Sequence, residues 1–120
     1  MSEEAALPPK VQQRLALYQQ LQQMLQSILA RKQQLNLELM EVENALRALK
    51  EVDDSTPIYK SVGTLLIRTE KAKVIQELED KKAVINLRLE QLEREEKRAR
   101  EQLKELEAKL RRDLGGGPGG

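Results

Sequence analysis

Histidine and cysteine are both absent from this sequence. That removes the commonest general base, the soft metal ligands and every thiol nucleophile. Glycine, which a phosphate-cradling loop needs, occurs once at Gly63 and then only in the tail from Gly115. Carboxylates remain. Glu77, Glu79 and Asp80 cluster in one run and Asp53 adjoins Asp54, so a hard cation is the ligand that either group could take. Both read more simply as polar surface, the first a solvated helix face and the second a helix-ending turn. The run Glu93–Glu101 mixes both signs of charge and reads the same way. No residue set here could carry a reaction, so the expectation is a protein that is not an enzyme and holds no cofactor or metal.

The composition points to long helices. Charged residues make up 34% of the chain and aromatic ones 2%, supplied by Tyr18 and Tyr59. Bulky core fillers are nearly missing, and the apolar set is mostly aliphatic, the pattern of a coiled coil. The formal net charge of +1 gives no electrostatic reason to expect nucleic acid or an anionic membrane. The N-terminal Met-Ser-Glu-Glu-Ala-Ala-Leu lacks the basic and apolar regions of a signal peptide, and no apolar run approaches a membrane span. The expected location is the cytoplasm.

Two glycine- and proline-free arms, Lys10–Thr56 and Thr64–Leu114, each carry a seven-residue repeat. In the first arm, Val11, Tyr18, Leu25, Lys32, Leu39 and Leu46 hold a positions, while Arg14, Leu21, Ile28, Leu35, Val42 and Leu49 hold d. In the second, a is Ile75, Lys82, Leu89, Glu96, Leu103 and Leu110, and d is Leu78, Ile85, Leu92, Ala99, Leu106 and Asp113. Apolar residues sustained over this many heptads specify a left-handed supercoil. Between the arms, two β-rich runs, Ile58–Val62 and Leu65–Thr69, flank Gly63 and read as a β-hairpin. The hairpin reverses the chain, so the arms lie antiparallel with Leu49 facing Ile75 and Tyr18 facing Leu106, every a opposite a d. The fold class is mostly α, a long antiparallel coiled-coil helical hairpin with one central β-hairpin. Expected segments are a frayed N-terminus (1–8), a first helix (9–52), the hairpin segment (53–70), a second helix (71–114) and a flexible Gly-rich tail (115–120).

The apolar residues of the hairpin (Ile58, Tyr59, Val62, Leu65, Leu66 and Ile67) fall on both of its faces. A lone two-stranded hairpin is marginal in water, and its edges invite other strands. No other segment reads as a strand that could cover it, so other subunits are expected to complete it. At the opposite ends of the arms, Leu7, Leu15, Leu17 and Leu114 add apolar surface beside Val11, Leu106 and Leu110, where Arg14 and Asp113 weaken the seam. Those seven apolar residues are the expected contact surface for a partner. Two features stay open, one polar and one apolar: Lys32 either reaches diagonally to Glu96 or each snorkels separately to water. Leu37, Met40, Val84 and Leu87, apolar at outward positions, are either ordinary surface or contacts with a neighbouring copy.

The run Pro57-Ile58-Tyr59-Lys60-Ser61-Val62-Gly63 followed by Leu65-Leu66-Ile67 resembles the prefoldin family, in particular its beta-type subunits of the archaeal form. Pro8-Pro9-Lys10-Val11-Gln12-Gln13-Arg14-Leu15 and Val74-Ile75-Gln76-Glu77-Leu78-Glu79-Asp80-Lys81-Lys82 resemble it too. The resemblance runs from Pro8 to Leu110. It implies a hexamer of two alpha-type and four beta-type subunits, with the hairpins joined in an intersubunit β-barrel. It also implies an ATP-independent chaperone that holds unfolded polypeptides at the coiled-coil tips and delivers them to a group II chaperonin. The alternative reading from the residues is a structural coiled-coil module that oligomerises without binding clients.

Overall fold

The computed structural model describes residues 7–115. Four elements follow one another: α1 (Pro9–Lys50), β1 (Ile58–Val62), β2 (Leu65–Thr69) and α2 (Lys71–Asp113). Of the expected frayed start, residues 1–6 lie outside the described residues, as do 116–120 of the tail. Leu7 and Pro8 are tied down. The Pro8 carbonyl accepts from the amides of Val11 (3.0 Å) and Gln12 (3.1 Å), and the Gln12 Nε2 donates to the Leu7 carbonyl at 2.9 Å. Pro9 takes the first helical position, where its missing N–H costs nothing.

The helices end by local rules. The α1 helix stops at Lys50, two residues before the expected boundary. The amides of Glu51 and Val52 turn instead to the carbonyls of Ala48 and Leu49 three residues back, which tightens the last turn. At the other joint Thr69 closes β2, and Glu70 precedes α2 with its carbonyl accepting from the Val74 amide. The α2 helix ends at Asp113, one residue before the expected boundary, and Gly115, two residues on, has a φ of 85°, the left-handed conformation common just past a helix.

In the two-stranded antiparallel sheet Ile58 pairs with Thr69, Lys60 with Ile67 and Val62 with Leu65, leaving Gly63 and Thr64 as the loop. Gly63 has a φ of 59°, and no non-glycine residue among those described has a positive φ. Positive then negative φ is the signature of a type II′ turn, which needs glycine first.

The described chain divides into two compact units, and each helix contributes to both. In the terminal unit (residues 7–31 and 92–115), Val11 and Leu21 of α1 form one buried cluster with Leu106 and Leu110 of α2. Leu7, Leu15, Tyr18 and Leu103 pack against it. Arg14 pairs with Asp113, and the Tyr18 hydroxyl donates to Glu107 Oε1 at 2.7 Å. Rising numbers on α1 thus meet falling numbers on α2, so the segments are antiparallel. In the hairpin unit (residues 32–91), Leu35, Val42 and Leu46 are buried from α1, and Ile85 and Leu89 from α2. A Glu43–Lys82 ion pair at 3.5 Å joins the two helices there. With Ile28 and Ala99, every buried apolar residue of both units holds an a or d position.

Lys71 is the joint's main polar fastener. A lysine at the first position of a helix opposes the helix dipole, so it needs a partner elsewhere. Its Nζ donates to the Val52 carbonyl at 2.8 Å and pairs with Asp54 at 3.1 Å, leaving the Lys71 side chain 16% exposed against 94% for Asp54. Replacing Lys71 with Met should lower the unfolding free energy by about 1.5–3 kcal/mol, the range for hydrogen bonds to a charged group. Asp54→Ala, which removes an exposed partner, should change it by less than about 1 kcal/mol. Urea unfolding of the two variants separates these outcomes, and equal losses would mean that the Val52 bond contributes nothing.

The Tyr18–Glu107 bond has a pH signature. Hydrogen bonding to the carboxylate, then desolvation and the Glu107 charge, raise the Tyr18 phenol above its usual value, against a smaller opposing effect of Gln22. A raised folded value means that the bond's stabilisation is full below about pH 10, the unfolded phenol's value, and is lost as pH rises through the folded one. In a Tyr59→Phe chain, where Tyr18 is the remaining tyrosine, phenolate absorbance should titrate above pH 10. Adding Glu107→Gln should bring the midpoint down; an unchanged midpoint would show that Glu107 does not hold the hydroxyl.

Candidate functional site

The hairpin presents an apolar surface within its own unit. The strand register puts Ile58, Lys60 and Val62 on one face with Leu65, Ile67 and Thr69, and Tyr59 and Ser61 on the other with Leu66 and Arg68. Ile58 is half-buried. The other five apolar residues are exposed, from 46% at Val62 to 73% at Leu66. Lys60 ties its face to α2 through Glu77 at 3.0 Å, an exposed pair that orients more than it stabilises. Both strands of this two-stranded sheet are edge strands. The hairpin therefore offers unpaired backbone groups and apolar side chains together, which is the chemistry of strand addition.

The terminal unit divides the seven residues expected to meet a partner. Leu17 and Leu114 are exposed at 47% and 58%, while Leu7 and Leu15 are half-buried against the core cluster. Val11, Leu106 and Leu110 are buried at 4%, 7% and 7%, so they offer a partner nothing unless the helices part. The expected weakness at Arg14 and Asp113 is corrected by their ion pair, in which both side chains are about one-fifth exposed. The expectation treated each as a lone charge in the seam, whereas opposite charges from two helices close it.

Beside the cluster lies an open groove of about 180 Å³, floored by Leu21 and Leu106, rimmed by Leu17 and edged by Gln102, Glu105 and Lys109. One heptad beyond Leu17, Met24 continues its face at 51% exposed. Sequence reasoning missed Met24 because Gln22, Gln23 and Gln26 surround it. Its seven-residue spacing from Leu17 was the available signal.

The acidic groupings serve locally. Glu77 holds Lys60, Asp80 accepts from Gln76 at 3.0 Å, and Asp54 pairs with Lys71. Among the described residues no group of three or more His, Cys, Asp or Glu could hold a metal ion. Glu96, one member of the open polar pair, binds Arg100 on its own helix at 2.9 Å. No described helix is long and apolar enough to cross a membrane.

Residues 12–117 match the family model for a prefoldin subunit. The chain is 44% identical to the prefoldin subunit beta of Thermococcus onnurineus, over 90% of this chain and 93% of that one. Against the same subunit of Archaeoglobus fulgidus the identity is 43%, over 87% and 90%. Among solved structures, the prefoldin beta subunit from Thermococcus strain KS-1 superposes with a TM-score of 0.83 at 40% identity, covering 91% of this chain and 96% of that one. The beta2 subunit from the same strain gives 0.67 at 27% identity, covering 76% and 97%. With its single hairpin, its paired heptad helices and these relatives, the chain belongs to the prefoldin family of chaperone subunits, to its beta type in the archaeal form.

Proposed function

We propose that this chain is one subunit of an ATP-independent holdase that captures unfolded polypeptides and passes them to a group II chaperonin. The observation that carries the reading is the bare hairpin, whose five exposed apolar side chains need a covering sheet. Hairpins of several copies, joined with those of an alpha-type partner, form an intersubunit β-barrel in a hexamer of two alpha-type and four beta-type subunits. The interface residues are Ile58, Tyr59, Val62, Leu65, Leu66 and Ile67. Replacing Ile58, Leu65 and Ile67 with Glu should leave the helical circular dichroism in place and release small species in light scattering. A full-sized particle from that variant would remove the hairpin from the assembly.

Clients bind at the terminal unit, with Leu17 and Leu114 offering the first contacts. Leu7 and Leu15 take part next, and Val11, Leu106 and Leu110 only when the helices open. Burying one leucine against a client is worth roughly 1.5–3 kcal/mol at most, so a single subunit holds weakly. Several subunits on one platform multiply that hold by avidity, and unfolded chains with separated apolar segments gain most. Because the seam is closed in the structure, a second reading, a coiled-coil oligomerisation module without clients, keeps a specific observation in its favour: Val11, Leu106 and Leu110 are covered. One assay separates the two. In the assembled protein, Leu17→Ser with Leu114→Ser leaves the seam untouched and should weaken client binding about tenfold or more per subunit. The readout is suppression of aggregation of a chemically denatured substrate without nucleotide. Wild-type protein that suppresses nothing would establish the second reading, and undiminished suppression by the variant would move capture away from these two leucines.

A further inference from the structure

In the terminal unit the end of the seam is closed by charge as much as by apolar packing. In the heptad register Val11 lies opposite Asp113 and Arg14 opposite Leu110, so each of the last two layers brings one aliphatic and one charged residue. Further in, Leu21 opposite Leu103 restores an aliphatic pair. Arg14 and Asp113 join each other across the two mixed layers, their side chains about one-fifth exposed, while Val11 and Leu110 are 4% and 7% exposed. One turn inward the Tyr18 hydroxyl makes a second tie to α2 through Glu107.

The choice of residues favours a closure that is weak and reversible. Leucines at positions 14 and 113 would continue the heptad pattern and add buried apolar area. An ion pair of this exposure adds little, so it shuts the seam at low cost to opening. Asp113 is moreover the last residue of α2, where a carboxylate opposes the helix dipole. It works against its own helix, and its partner is on the other one.

We propose that the Arg14–Asp113 pair is an autoinhibitory latch: closed, it keeps Val11, Leu106 and Leu110 from clients, and released, it gives them up. The latch rests on the client-capture reading above and sets the strength of that capture. The closed unit offers exposed Leu17 and Leu114 and the groove floored by Leu21 and Leu106. A client that meets these first gains the covered side chains by displacing the pair, so binding draws the unit toward its open form. Without a client the same side chains stay out of water, where they cannot draw copies together.

The chain has no cysteine, so Leu110→Cys places a single thiol opposite Arg14. Its rate of labelling in the purified chain reports how often the helices part. In that background Asp113→Ala should speed labelling about fivefold, the upper end for an ion pair of this exposure, with the helical circular dichroism unchanged. In the assembled protein without the thiol, Asp113→Ala should suppress aggregation of a chemically denatured substrate at a several-fold lower concentration than wild type. Arg14→Asp with Asp113→Arg rebuilds the pair in reverse and should return both readouts to wild-type values. Unchanged labelling means that the pair does not hold the seam. Faster labelling with unchanged or weaker suppression means that opening gives clients nothing. Either result overturns the latch, while suppression by wild type keeps the client reading. Wild-type protein that suppresses nothing overturns both.

Discussion

The eleven buried side chains among the described residues all sit at a and d positions, and the rest of the structure depends on the aliphatic seam they make in each unit. Two helices can cover a stripe of each other but cannot enclose a side chain from all sides, and no large side chain among the described residues is fully buried. That constraint explains the composition. Leucine, isoleucine and valine suffice for a stripe one residue deep, and aromatic rings would project past it into water. Ala99, exposed by 1%, is the most deeply covered of the set because its short side chain ends inside the seam.

A stripe this narrow leaves its margins to polar residues, and those contacts hold the pairing in register. Arg14 with Asp113 and Tyr18 with Glu107 act in the terminal unit, and Glu43 with Lys82 and Lys71 with Val52 in the hairpin unit. Heptad spacing alone tolerates a slip of one repeat, since another leucine would arrive at the same place. A slipped register would break these cross-helix partners together. The more exposed of them contribute little singly and the largely buried Lys71–Val52 bond more, and together they penalise the alternatives.

The same narrowness leaves the hairpin uncovered. Its type II′ turn and cross-strand pairs set its shape, yet the helices offer it little more than the exposed Lys60–Glu77 pair. Among the described residues the sheet has two open edges and no covering strand, an arrangement that is marginal in water. Helix pairing uses the a and d residues, and the exposed apolar residues between the helices are left out of it.

Much of this was legible in the residues themselves. Seven-residue spacing located both helices and the stripe each buries, because helical geometry brings those positions to one face whatever the rest of the fold does. Gly63 between two β-rich runs marked the hairpin, because few residues other than glycine accept its positive φ. Tertiary structure alone decided how side chains from distant parts of the chain meet. Arg14 and Asp113, 99 residues apart, look like two interruptions in sequence and are one ion pair in space. Lys71 looks misplaced at a helix start until the Val52 carbonyl is found beside it. Leu17 and Leu106 belong to the same expected surface, yet one is 47% exposed and the other 7%. Spacing states which face of a helix a residue occupies; exposure also depends on what the opposite helix brings to that face, and only the folded pair sets that.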